Sequence, residues 1–217
     1  MGLRIIAFTD IHGAYSVVEG VLAREPRFDV VILGGDLTTM GTPGEAEAAL
    51  DGFREHGATL LAVAGNMDPR DLEEVFERQN VSINGRGVIL EDVGIFGASA
   101  SPFSPLHTPY EVSEGEIWRL AERGWSQVTR AHYRVFVPHS PPFGTKVDVV
   151  TTGKHVGSTA VRKFIEQYQP DLVLCGHIHE ARGEDMIGRT KVVNCGAAGH
   201  GHYVTVDCGD TPVVTAY

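Results

Sequence analysis

Residues 3–12 read Leu-Arg-Ile-Ile-Ala-Phe-Thr-Asp-Ile-His. The first six, apolar except for Arg4, have the length and composition of a buried strand, and the polar pair Asp10 and His12 follows almost at once. Side chains at i and i+2 of an extended backbone leave on the same side, so Asp10 and His12 can reach one point. Apolar residues 30–33 precede Gly34-Gly35-Asp36, residues 60–63 precede Gly65-Asn66, and residues 172–175 precede Gly176-His177-Ile178-His179. A fifth apolar run, 133–137, leads to His139. In open α/β sheets ligands gather beyond the carboxyl ends of strands, so polar residues far apart in the chain can converge there.

Outward from these stretches, strand-length apolar runs recur at 88–90, 192–193 and 204–206. Ser16 with Glu19, and Ser113 with Glu116, have capping-box spacing, while Thr42-Pro43 and Asp68-Pro69 each place a cap before a proline at the first helical position. The first part thus reads β-α-β-α-β, and the strand-rich stretch after residue 80 predicts a second sheet packed on the first. The class is α/β, a sandwich, with residues 1–217 as one domain. Residues 98–109 form a proline-bearing loop rather than a linker, because strand and helix signals resume on both sides. On the helix after Ser113, Trp118 and Leu120 are expected to pack while Arg119 and Arg123 face solvent.

With 42% hydrophobic and 21% charged residues the composition is that of an ordinary globular chain. No apolar run approaches the roughly 20 residues of a spanning helix, so no membrane is expected. The start lacks a signal-peptide pattern, and Ile6 stands where myristoylation prefers Ser or Thr. Three cysteines, Cys175, Cys195 and Cys208, fit no zinc-knuckle spacing, and the expected compartment is a reducing cytoplasm. A net charge of −10 argues against a long polynucleotide partner, so a phosphate-bearing substrate would have to be attracted locally, as by metal ions.

Carboxylate, amide and imidazole donors without thiolate suit Mn, Fe, Co, Ni or Zn and leave the choice among them open. An isolated Gly-Asp or Gly-Asn is only a turn, and a lone histidine after a strand is ordinarily a satisfied loop residue. The ordered combination is more specific. Asp-x-His, Gly-Asp, Gly-Asn, His and Gly-His-x-His follow one another from Asp10 to His179. With Pro138-His139-Ser140-Pro141-Pro142 and Gly153-Lys154-His155-Val156-Gly157-Ser158, they resemble the calcineurin-like metallophosphoesterases, in particular their small, compact microbial members.

The resemblance implies a four-layer αββα sandwich, two packed mixed β-sheets flanked by helices. It also implies two divalent ions about 3.5 Å apart. Asp10, His12 and His179 would hold the first ion, Asn66, His139 and His177 the second, and Asp36 would bridge them. A metal-bridging hydroxide would attack a small phosphoester in line, with Asp36 and Asn66 serving the reaction as well as the metals. Many members carry a histidine directly after the asparagine, but here that place is Met67, which cannot donate a proton. Members of this kind often resemble diester hydrolases, so a phosphodiesterase is expected, with a phosphomonoesterase and a non-catalytic protein-binding scaffold as alternatives. Asp68 either supports that position or caps a helix at Pro69. His155 is nominated as the substitute catalytic group and His107 as a second candidate, a solvated loop histidine being the alternative reading of each; His200 and His202 precede a strand and read as loop residues.

Overall fold

Strand and helix alternate from the start: β1 (Leu3–Phe8), α1 (Tyr15–Leu22), β2 (Val30–Gly34), α2 (Pro43–Arg54), β3 (Thr59–Val63) and α3 (Leu72–Arg78). There follow β4 (Gly87–Leu90), β5 (Val93–Ala98), β6 (Ser101–Pro102), β7 (Glu111–Val112), α4 (Glu114–Val128), β8 (Tyr133–Pro138) and α5 (Thr159–Tyr168). The chain closes with β9 (Leu172–Cys175), β10 (Gly183–Ile187), β11 (Thr190–Asn194), β12 (Val204–Cys208) and β13 (Val213–Ala216). The computed structural model describes residues 2–209 and 212–217.

Two large mixed sheets result. One has the order β13-β12-β1-β2-β3, the other β10-β11-β9-β8-β5-β4, and β6 pairs with β7 in a small separate ribbon. Period-2 alternation builds the layers. Ile5 and Ala7 of β1 join Val135 and Val137 of β8 and Leu172 and Leu174 of β9 in a core between the sheets. Their sequence neighbours Ile6, Phe8, Phe136 and Val173 face outward into a second core that contains the buried faces of all five helices. Two sheets packed face to face with helices on both outer faces form the expected four-layer sandwich.

Beyond residue 80 the chain does build the second sheet, but β12 and β13 return to the first, where β12 runs antiparallel to β1. Two expected helix starts are wrong. α1 begins at Tyr15 with no side-chain cap, so Ser16 lies inside its first turn. Backbone bonds from His12 and Gly13 to the carbonyls of Asp36 and Leu37 set that start instead of a hydroxyl. Asp68 does not cap a helix at Pro69, because α3 starts at Leu72 and the Asp68 carboxylate is engaged elsewhere. Thr42 and Ser113 do cap α2 and α4, accepting from the amides of Glu45 and Glu116. Arg123 does not point freely to solvent; its Nε donates to the Gly85 carbonyl at 2.8 Å. Among the described residues no helix is long and apolar enough to cross a membrane.

Candidate metal centre

The carboxyl ends of β1, β2, β3, β8 and β9 meet at one end of the sandwich. The amide of Asp10 donates to Gly35 O, that of His139 to Ala98 O and that of Gly176 to His139 O, knitting the strand ends together. Between the sheets, the Thr9 hydroxyl donates to Gly196 O at 3.0 Å, and the His177 amide donates to both oxygens of the Asp10 carboxylate at 3.0 Å.

Asp10 (φ 53°), His12 (49°), Asp36 (51°) and His177 (67°) all occupy the left-handed region, four of ten non-glycine residues to do so among those described. Each such residue costs on the order of 1–2 kcal/mol and persists where the surroundings over-determine it. The turns bend the backbone sharply just past each strand and aim these side chains inward. Two glycines make room. A Cβ on Gly35 (φ 101°) would run into the His139 ring, and one on Gly176 into the Asp10 carboxylate.

The donor atoms of Asp10, His12 and His179 lie within 4.8 Å of one another, and so do those of Asp10, Asp36 and His139. Asp36 Oδ2 stands 3.5 Å from Nε2 of His12 and 3.5 Å from Nε2 of His139. Asn66 joins through its Oδ1, 3.0 Å from His139 Nε2. His177 belongs to neither of the two groups, but its ring centroid is 5.1 Å from that of His139. The structure therefore brings all seven residues to one end of the molecule, with Asp10 shared between the two groups. His155 and His107 lie on flanking loops, and the His200–His202 pair, 5.9 Å between centroids, is outside both groups.

The electrostatics suit a cation. Asp10 and Asp36 are buried, with Asp68 buried close by, and among the described residues no Lys or Arg bonds to any of the seven. Buried carboxylates are ordinarily paired or coordinated to a metal. Burial works against the Asp10 charge, yet the His179 contact and the His139 charge hold its carboxyl down at about 2. His139 Nδ1 donates to the Gly34 carbonyl, so Nε2 faces the oxygens of Asn66 and Asp36. Burial opposes protonation of that ring, but the Asp36 charge pushes its pKa up to about 9. His177 goes the other way: burial and the His139 charge lower it to about 4, keeping its lone pair available. The donor set fits divalent ions.

The bracing roles of two residues escaped sequence reasoning. Asp68 accepts from the amides of Leu37 (3.1 Å), Thr38 (2.8 Å) and Gly65 (2.9 Å), locking the Asp36 turn to the Asn66 turn. Asn194 donates from Nδ2 to Ile178 O (2.8 Å) and Val147 O (3.2 Å), tying the His177–His179 turn to the loop after His139. Asn194 carries the same signal as the ligands, a polar residue ending an apolar strand before a glycine turn.

The family model described as calcineurin-like phosphoesterase matches residues 3–181. An uncharacterised protein of Methanocaldococcus jannaschii is 32% identical over 197 residues, covering 88% of this chain and 87% of its own. The fold is similar to a crystal structure of a Thermus thermophilus protein, at TM-score 0.76 and 17% identity over 99% of each chain. It is also similar to that of a 5'-nucleotidase from Candida albicans, at TM-score 0.54 and 14% identity, over 95% of this chain and 47% of the other.

Proposed function

The chain belongs to the calcineurin-like phosphoesterase family, a family of metal-dependent phosphoester hydrolases, and from that premise we propose that it is a two-ion phosphodiesterase acting on small substrates. Asp10, His12 and His179 would hold one ion and Asn66, His139 and His177 the other, with Asp36 available to both. The observation that carries this reading is the position of Asp36 Oδ2, 3.5 Å from a histidine of each set. Divalent ions bound there would supply Lewis-acid charge and lower the pKa of water enough to furnish a nucleophile near neutral pH.

The protein's own groups orient the reaction. The Gly34 carbonyl fixes the His139 tautomer and Thr39 Oγ1, 2.9 Å from His12 Nδ1, sets the His12 ring, so both present Nε2 inward. The Met67 amide holds Asp36 through Oδ1 at 2.7 Å, leaving Oδ2 turned toward His12 and His139. The diester preference rests on charge. Two divalent ions facing the two carboxylates and a hydroxide nucleophile would leave about +1 at the site, and among the described residues no arginine or lysine adds to it, which matches a monoanionic diester more closely than a dianionic monoester. The cytoplasm is the proposed compartment, supported by three cysteines that are buried and unpaired.

The test is to strip the protein of metal, restore Mn, Fe, Co, Ni or Zn one at a time, and follow hydrolysis of chromogenic mono- and diesters. Activity on the diester that returns with at least one metal is expected. No turnover with any metal would refute the hydrolytic reading, and faster turnover of the monoester would reverse the preference.

A further inference from the structure

We propose that His155 donates the proton to the leaving oxygen of the phosphoester and that Asp148 is the residue positioning it, an inference that rests on the phosphoesterase reading. The need arises at Met67, which has no proton to give. Every histidine clustered at the strand ends has a place in the proposed ligand set. An alkoxide or phenolate departing from phosphorus must therefore be protonated by another group or leave unaided.

His155 Nδ1 lies 2.7 Å from Asp148 Oδ1. Asp148 is fully buried, and its oxygens also accept from the amides of Thr145 (2.8 Å), Gly144 (3.0 Å) and Gly157 (3.0 Å). Burial alone would raise its pKa, but the His155 contact and these amides keep it below the usual carboxylate range. A carboxylate held ionised by three amides accepts a hydrogen bond from Nδ1–H of the ring and fixes its orientation, leaving Nε2 as the working nitrogen. Nε2 has no partner among the described hydrogen bonds, and 41% of the side chain is exposed. A buried carboxylate behind a half-exposed imidazole is the arrangement in which a histidine serves as acid or base.

The loop that carries the pair is tied to the strand ends that bear the centre. It leaves β8 at His139, and residues 155–158 fold back on it, with the Ser158 amide donating to Pro141 O (2.8 Å) and the Phe143 amide to Ser158 O (3.0 Å). The Lys146–Asp148 turn packs on the His179–Ala181 turn, and Asn194 ties Val147 to Ile178. His155 is thus carried on a loop clamped to both histidine-bearing strand ends. Phe143, half-exposed, meets the His155 ring edge-on at 5.8 Å and gives a departing organic group an apolar surface.

In the step itself the oxygen of water forms the new bond to phosphorus and the bond to the leaving oxygen breaks. The electron pair of that bond stays on the leaving oxygen, which takes the proton from His155 Nε2. The imidazole regains a proton from solvent, which has received the one lost by the attacking water.

The experiment compares the metal-loaded protein with His155→Ala and His155→Gln on two diesters. Bis(p-nitrophenyl) phosphate releases a stable phenolate, whereas diphenyl phosphate releases one that needs protonation. General-acid catalysis predicts a fall in kcat of about 100-fold or more for diphenyl phosphate and less than about threefold for the nitrophenyl ester. Asp148→Asn is expected to show the same dependence more weakly. In nitrogen-15 NMR the neutral form of the wild-type ring should carry its proton on Nδ1, so that Nε2 is the atom that gains and gives the catalytic proton, with that preference lost in Asp148→Asn. Equal losses on both diesters, no loss on diphenyl phosphate, or a neutral ring that carries its proton on Nε2 instead of Nδ1 would overturn the assignment. An active wild type with such a result defeats this inference alone, whereas a wild type inactive on both diesters defeats the phosphodiesterase reading with it.

Discussion

Asp36 is the residue on which the centre turns, since its two oxygens face in different directions, one to the Met67 amide and one to the space between His12 and His139. Asp36→Ala should cut turnover by about 100-fold or more and lower the number of ions bound per chain, as measured by elemental analysis. His200→Ala should leave both nearly unchanged, because that ring is outside the ligand groups. Asp68 tests bracing rather than chemistry. Its removal leaves amides of Leu37, Thr38 and Gly65 without their partner in a buried place, each at a cost of about 1–3 kcal/mol. Denaturant unfolding of Asp68→Ala should show a loss of several kcal/mol. The proposed ligands were legible because each follows closely on an apolar run. The role of Asp68 was not, because a carboxylate that gathers three amides from two separate turns has no local pattern; only the approach of those turns in space defines it.

At the scale of elements, the strands with clean apolar runs could be read within a residue or two, β9 among them. β5 was not, since Gly94 and Gly97 interrupt its pattern; those glycines exist because Val128 and Val63 press against the strand. β10, with the sequence Gly-Glu-Asp-Met-Ile, is an edge strand paired only with β11 and carries too little apolar character to read as one. α5 owes its start to tertiary contact as well as to Ser158: Glu114 of α4 accepts from the amides of Thr159 and Ala160. Ser158→Ala should therefore cost about 1 kcal/mol in thermal or denaturant unfolding. The loop between β6 and β7 wraps Glu111, which accepts from the amides and hydroxyls of Ser104 and Thr108. Burial opposes its charge, but those bonds hold the Glu111 carboxyl at about 2. A depressed carboxyl stabilises the fold fully above its ordinary value of 4.5 and loses that contribution as pH falls toward 2. Hydrogen-exchange protection of the Ser104 and Thr108 amides, corrected for intrinsic rates, should decline through that window and be flat above it. Glu111→Gln should abolish the dependence.

Across the whole molecule, the return of β12 and β13 to the first sheet was hidden from sequence, because strand order in a sheet is set by which apolar faces remain uncovered and not by any local signal. That return matters to the site: the stretch leading into β12 pairs Ala197 with Thr9, and the Ala198 amide donates to Thr9 O, bracing the turn that carries Asp10 and His12. The chain carries a net charge of −10, so its affinity for an anionic ester should depend on bound cations and fall with chelation. The most direct measurement is anomalous diffraction from crystals of the manganese-loaded protein. Two peaks about 3.5 Å apart are expected, one beside Asp10, His12 and His179, the other beside Asn66, His139 and His177, with Asp36 between them. A single peak, or peaks away from these residues, would contradict the two-ion centre.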